Sequence, residues 1–362
     1  MLGIWKAAMQ HFERGENFAL ATILAVDGSS PRHPGTRLLV SQAGYTVGTI
    51  GGGLFEAQVC RYASEVLSSG NSMRLAFGFK GQDSSSYSEM LCGGDVDVLI
   101  EHVSTADSVQ EVVFRGIWEL VATCSSGLLF SRLDIPVGGR SGLPIPRLLV
   151  RSNGGSVGGF QGDTLAVNAA PPVRLMGSSR LLELPGLDHV VYVEWIRSQG
   201  TAYIFGAGHV GACVAHLASY VDFGVVVIDD RAEYANPDKI PSAQRLHVVH
   251  SFDGALSEFE VDEDSFIVIV TRGHAHDKTV LAQALKTTAG YIGMIGSRRK
   301  TSLIYDALLK EGVTKQELER VHAPIGLNIG GETPQEIAVS IVAEMILVRT
   351  NRSGRETQGK TR

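Results

Sequence analysis

The chain has 362 residues, 44% of them hydrophobic and 19% charged, which is enough sequence for two domains with separate cores. Its formal net charge of −6, without a basic run, argues against a nucleic-acid or membrane-surface role. Cys60, Cys92, Cys124 and Cys213 are far apart and form no C-x-x-C pair, which speaks against structural zinc or a disulfide scaffold and fits a reducing cytoplasm.

The opening MLGIWKAAMQHFERGENFALATILAV carries acidic residues ahead of an apolar run too short to cross a bilayer, so neither a signal peptide nor a transmembrane helix is expected. FALATILAV and TRLLVS read as strands separated by the turn-rich DGSSPRHPG. YTVGTIGGG then leads into LFEAQVCRYASEVLSSG, whose apolar positions recur at helical spacing and stop before Gly70. VDVLIEHV is a further strand and SVQEVVFRGIWELVAT a further amphipathic helix. From Gly127 to Glu194 the runs are short and punctuated by Gly, Pro, Ser and Asn, which suggests hairpins, either completing the first domain or inserted into it.

From Thr201 the rhythm becomes βαβα. TAYIF, FGVVVID, HVV, SFIVIVT and GYIGMIG are strands; HVGACVAHLASYV, DKTVLAQALKTT and RRKTSLIYDALLKEG are helices. Continuous apolar strands alternating with helices imply a parallel sheet covered on both faces. A final helix starts with Thr333 as N-cap, Pro334 in its first position and Glu336 closing a capping box. The expected class is α/β: a C-terminal Rossmann-like parallel sheet with helices on both faces, preceded by an N-terminal mixed α/β domain. The expected domains are 1–195 (β-rich over 127–195) and 200–350, with a polar, disordered tail at 351–362.

The candidate site residues follow from this order. Gly206-x-Gly208-x-x-Gly211 lies between a strand and a helix, and Asp229 and Asp230 end the next strand, which is the context a dinucleotide fingerprint requires. Gly206 would permit the tight turn, Gly208 the approach of a phosphate, and Gly211 close helix–strand packing; Asp229 or Asp230 would meet ribose hydroxyls. The helix start offers unpaired N–H groups to an anion. Loops after parallel strands share the carboxyl edge of the sheet, so Arg272, His274, His276, Ser297 and Arg298, with Arg299 beside it, belong to the same crevice. His274-x-His276-Asp277 is open to two readings: a metal or proton-transfer group, or a helix start with Asp277 as cap and both histidines in solvent.

The first domain has its own glycine cluster, Gly51, Gly52 and Gly53, at a strand–turn–helix junction; either its backbone amides face an oxyanion or the glycines are ordinary turn punctuation. Glu56 falls in the first helical turn and complements the helix dipole. The loop GSSPRHPG adds Ser29, Ser30 and Arg32. Cys92 precedes two glycines, either as a reactive or metal-contacting thiol or as a small buried hydrophobe.

These motifs together resemble the XdhC/CoxI family, accessory factors of xanthine dehydrogenase and related molybdenum hydroxylases. ATILAVDGSSPRHPGTRLLVS, GTIGGGLFEA and CGGDVDVLIE are similar to its N-terminal domain. YIFGAGHVG, VVVIDDRAEYAN, TRGHAHD, YIGMIGSRRK and HAPIGLNIGGETPQEIAVSIVAEMI are similar to its Rossmann domain. The resemblance implies a chaperone that binds the molybdenum cofactor (molybdopterin), presents it for sulfuration, with a cysteine desulfurase as a further partner, and delivers it to an apo molybdenum hydroxylase. It makes Cys92 the candidate for contact with molybdenum or its sulfur ligand, and with the apolar final helix it suggests a homodimer, although a core helix explains that apolar pattern equally well. Two other readings stand beside it. One is an NAD(P)-dependent oxidoreductase with His274 or His276 as acid–base group. The other is a nucleotide-sensing module.

Overall fold

The computed structural model describes residues 2–28, 32–78, 94–160, 162–169, 179–183, 189–196 and 200–352. The chain divides into two compact units, Met1–Arg197 and Ser198–Arg362.

The first unit runs α1 (Leu2–Arg14), β1 (Phe18–Asp27), β2 (Arg37–Ser41), β3 (Thr46–Gly48), α2 (Gly53–Ser69), β4 (Ser72–Gly78), β5 (Asp95–Val103) and α3 (Ser108–Ala122). It continues with β6 (Gly127–Leu133), β7 (Arg140–Ser141), β8 (Arg147–Arg151), β9 (Ser156–Gly158), α4 (Asp163–Ala169), β10 (Arg180–Glu183) and β11 (Val190–Ile196). One antiparallel sheet has the order β3-β2-β1-β5-β4-β7, and a second has the order β10-β11-β6-β8-β9. The hairpin-rich segment thus builds a sheet of its own. It also lends β7 to the edge of the first sheet, where Ser72 pairs with Ser141.

The unbroken apolar run of β1 is explained by burial on both faces. Ala19, Ala21 and Ile23 pack with Phe55, Val59, Ala63 and Val66 of α2. Phe18 and Leu20 turn the other way, toward Trp5 of α1, Phe114 and Ile117 of α3, and Leu129 and Leu149 of the second sheet. Two buried ion pairs tie the sheets together. Arg147 of β8 grips Glu101 of β5 through both terminal nitrogens, at 2.7 and 2.5 Å, and Arg37 of β2 bonds Glu194 of β11. Burial alone would weaken the Arg147 cation, but Glu101, with Glu194 behind it, raises its pKa instead.

The second unit runs β12 (Thr201–Phe205), α5 (His209–Tyr220), β13 (Gly224–Asp229), β14 (Arg245–Val248), β15 (Ser265–Ile269), α6 (His274–Ala284), β16 (Tyr291–Met294), α7 (Arg298–Lys310), α8 (Lys315–Leu318), β17 (Val321–His322) and α9 (Pro334–Arg352). All pairs are parallel, in the order β14-β13-β12-β15-β16-β17. Strand parity sends Ala202, Ile204, Val225, Val227, Phe266 and Val268 to the face covered by α5 and α9. The alternate residues, including Phe205, Ile267 and Ile269, are equally buried on the opposite face, against which α6 packs. This is the expected Rossmann-like sheet. The apolar run of α9 is occupied in this core through Ala338, Ile341, Val342 and Met345.

Helix α9 begins with a complete capping box. The amide of Glu336 donates to Thr333 Oγ1 at 3.3 Å, and Glu336 Oε2 accepts from the amide of Thr333 at 3.0 Å. Among the described residues, no helix is long and apolar enough to cross a membrane.

Candidate functional site

Of the three glycines after β12, two are required sterically and the third leaves space. Gly206 sits at φ +116°, and a Cβ there would fall 2.4 Å from the carbonyl oxygen of Val270. A Cβ on Gly211 would lie 1.8 Å from the carbonyl oxygen of Gly206, so this helix–turn contact tolerates no side chain. Gly208 differs: its φ is −70° and a Cβ would meet nothing within 4 Å. Neither backbone strain nor packing demands glycine there. What the residue leaves is open space over the start of α5, whose N-cap supplies no side-chain acceptor.

Asp229 ends β13 only 1% exposed, and its carboxylate is turned inward. Oδ2 accepts from the amide of Ala207 at 2.7 Å and from Arg231 Nη2 at 3.0 Å; Oδ1 accepts from the amide of Arg231 at 3.0 Å and its Nε at 2.9 Å. Burial pushes its pKa up, but the Arg231 guanidinium and the Ala207 amide outweigh that and hold it below the ordinary range. Asp230 is more open and bonds Arg272 Nη2 at 2.7 Å, which links the loops after β13 and β15.

The remaining candidates follow the carboxyl edge. His274 is exposed at the start of α6, and His276 packs edge-on against Phe252 with ring centroids 5.2 Å apart. Asp277 does not cap α6, whose N-cap is Gly273. It is fully buried, accepts from Thr271 Oγ1 at 2.6 Å, and forms an ion pair with Lys300. Ser297 caps α7 by accepting from the amide of Lys300 at 3.2 Å, while Arg298 and Arg299 stand exposed in the first turn. Among the described residues, no group of three His, Cys, Asp or Glu side chains is placed to hold a metal.

Thr271 and Lys300 are polar members of this edge that the sequence reading missed. Lys300 is hidden in the run SRRK, where the two arginines draw attention by charge and the lysine alone reaches inward. A second missed network joins β16, β17 and α9. Glu344 accepts from Tyr291 Oη at 2.5 Å and from the amide of Gly326 at 2.9 Å, and pairs with His322 Nδ1 at 3.2 Å. Burial raises the Glu344 pKa, and the bonds from His322, Tyr291 and Gly326 more than reverse it. Its members are scattered over 53 residues of sequence between Tyr291 and Glu344, so no local spacing signals it.

In the first unit the glycine cluster is met from within. Gly51, Gly52 and Gly53 have φ of +144°, +74° and +60°, and the turn wraps around the carboxylate of Glu56. Glu56 Oε2 accepts from Thr49 Oγ1 at 2.5 Å and from the amides of Ile50 at 3.0 Å and Gly52 at 3.3 Å. Burial raises the Glu56 pKa, and the bonds from Thr49, Ile50 and Gly52 bring it below the ordinary value. The amides expected to face an external oxyanion are therefore partly taken by an internal one, and Glu56 does more than complement a dipole. Arg32 is exposed. Ser29, Ser30 and Cys92, and the tail from 353, lie outside the described residues.

Two family models match the chain. One, described as the XdhC Rossmann domain, matches residues 202–345; the other, described as the XdhC and CoxI family, matches residues 11–78. Together they cover more than half of the chain. The chain belongs to the XdhC and CoxI family.

Individual relatives agree with this assignment. A protein of Bacillus subtilis (strain 168), named as a probable xanthine dehydrogenase subunit, is 28% identical over 93% of this chain and 94% of its own length. The molybdenum cofactor insertion chaperone PaoD of Escherichia coli (strain K12) is 22% identical over 96% of this chain and 88% of its own. Uncharacterized protein YqeB of the same strain is 36% identical, but over 42% of this chain and only 28% of its own length. A crystal structure described as a xanthine dehydrogenase from Bacillus halodurans superposes with a TM-score of 0.72, covering 99% of this chain and 98% of that one. At 22% identity that likeness speaks for the fold alone.

Proposed function

We propose that this member of the XdhC and CoxI family is a maturation factor that binds the molybdenum cofactor and hands it to an apo molybdenum hydroxylase. The observation that carries the reading is near full-length similarity to a protein named as a molybdenum cofactor insertion chaperone, joined to a Rossmann turn that is open at Gly208.

The residues at the turn fit the phosphate of such a cofactor. Gly208 leaves the backbone approachable, and the first-turn amides of α5 and α6 have no side-chain cap competing for them. Arg298 and Arg299 add positive charge along the same edge. The cofactor would bring its own oxo-transfer and redox chemistry, which the hydroxylase uses; this chain's part is to bind, orient and release. Cys92 remains the proposed contact for the molybdenum or its sulfur.

An acid–base histidine of an oxidoreductase would need a fixed orientation facing a cofactor. His274 is exposed, and His276 is packed on Phe252. The similarity to an insertion chaperone, rather than the state of these histidines, favours carriage over turnover. The test is molybdopterin titrated into the full-length protein and its Gly208→Val variant. Saturable binding by the parent, weakened at least about tenfold in the variant, supports the reading. A folded parent that does not retain molybdopterin overturns it.

A further inference from the structure

We infer that Asp229 is a positioning residue for the glycine turn, and that the corner it forms with Asp230, Arg231 and Arg272 excludes a nucleotide ribose, so that the crevice accepts a phosphomonoester and rejects NAD(P). The identity of that phosphomonoester rests on the proposed function; the exclusion does not.

A dinucleotide on a Rossmann fold needs two things at this edge. The glycine turn must receive its pyrophosphate, and an acid at the end of the second strand must accept from its ribose hydroxyls. The second requirement calls for carboxylate lone pairs open to the crevice. Asp229 has none to give. Its two oxygens offer about four acceptor positions, and four donors fill them: the Ala207 amide, the Arg231 amide, and Arg231 Nε and Nη2. A ribose could reach this carboxylate only by displacing the guanidinium and leaving charge buried without its partner, which is strongly unfavourable.

Arg231 is poorly placed to move aside. Its guanidinium lies 4.0 Å from the centroid of the Tyr234 ring, and Lys239 sits 4.4 Å from the same ring. The arginine also does not make an NADP site. A 2′-phosphate would need its free charge, yet Arg231 is matched by Asp229 and lies 3.6 Å from Asp230. Asp230 is in turn held by Arg272 through Oδ2, while its Oδ1 makes no hydrogen bond but is buried away from the crevice, with Arg231 Nε the nearest cation. Two carboxylates and two guanidiniums thus close the corner as a charge-balanced lattice, and a dianionic 2′-phosphate would meet both carboxylates. The glycine turn beside it stays open at Gly208. Phosphate is admitted and ribose is not, which suits a ligand ending in a single phosphate ester.

The test titrates the full-length protein with NADH and NADPH by fluorescence, and with ADP-ribose by calorimetry, alongside the Arg231→Ser variant, which uncovers Asp229. The parent should show no saturable binding of any of the three up to about 1 mM. Arg231→Ser should gain ADP-ribose affinity by at least about tenfold, a gain that a purely structural arginine would not produce. Should the serine variant lose its cooperative thermal transition, Arg231→Gln, which drops the charge but keeps side-chain bulk, takes its place, with the same direction of change expected. Saturable NADH binding by the parent within that range overturns the inference, as does a folded variant that gains nothing. A preparation that binds neither NADH nor molybdopterin sinks the proposed function and leaves the exclusion standing.

Discussion

Asp229 Oδ2 accepts the amide of Ala207 at 2.7 Å across 22 residues of sequence, so the end of one strand fixes the glycine turn that follows another. Replacing Asp229 by Ala strands the Ala207 amide and leaves Arg231 without its counter-charge. A loss of about 3 kcal/mol in the unfolding of the Rossmann unit is expected, read by chemical denaturation. Asp229→Asn, which keeps acceptor capacity but not charge, should lose less.

The same residue sets a pH dependence. Its folded-state pKa is depressed, so its stabilisation is fully present above the unfolded value of about 3.9 and is lost as pH falls through the lower folded value. The stability gap between parent and Asp229→Asn should therefore stay constant from pH 7 to pH 5 and narrow in acid. A gap that widened as the pH fell would show the opposite sign of shift.

Gly208 and Gly211 separate binding from packing. Gly211→Ala forces a Cβ to 1.8 Å from a backbone oxygen and should destabilise the Rossmann unit by about 3 kcal/mol or more. Gly208→Ala meets nothing within 4 Å and should leave stability within about 0.5 kcal/mol of the parent. Thermal melts of both variants check the contrast, and equal melting temperatures would contradict it.

Glu56 closes the glycine turn of the first unit. Glu56→Ala removes one acceptor shared by Thr49 and two backbone amides and should cost roughly 1–2 kcal/mol, measured on the unfolding of the first unit. Hydrogen exchange at Ile50 and Gly52 should accelerate in the variant while the α2 interior stays protected.

Arg147 and Glu101 test what a buried ion pair between two sheets is worth. Glu101→Gln, leaving the Arg147 cation buried beside a neutral partner, should cost about 3–5 kcal/mol. Replacing both together by Leu and Met should recover most of that loss, since the cost of desolvating two charges disappears with them. A double variant as unstable as the single would place the cost in packing.

Much of this molecule is legible in its sequence where the determinant is local. The alternation of TAYIF, FGVVVID and SFIVIVT with helices writes out the parallel sheet, and the Thr333–Glu336 capping box is readable from four residues. The glycine fingerprint identifies the turn, and the roles of Gly206 and Gly211 follow from steric necessity. What escapes is long-range. Helix α1 and strand β4 do not stand out from their neighbours, and β7 is a two-residue strand whose existence depends on β4. Asp229 carries the same letter whether it faces a ribose or turns inward. Only the position of Arg231 and the Ala207 amide decides, and that is a property of folded geometry. Lys300 stays hidden for the same reason, because its partner Asp277 sits on another helix.

The most direct test of the central claim is transfer. Full-length protein preloaded with molybdopterin is mixed with an apo molybdenum hydroxylase, and recovered activity is compared with that from the same amount of free molybdopterin. Faster and more complete recovery from the loaded protein is predicted, diminished in Gly208→Val. Recovery no better than with free cofactor would contradict the account.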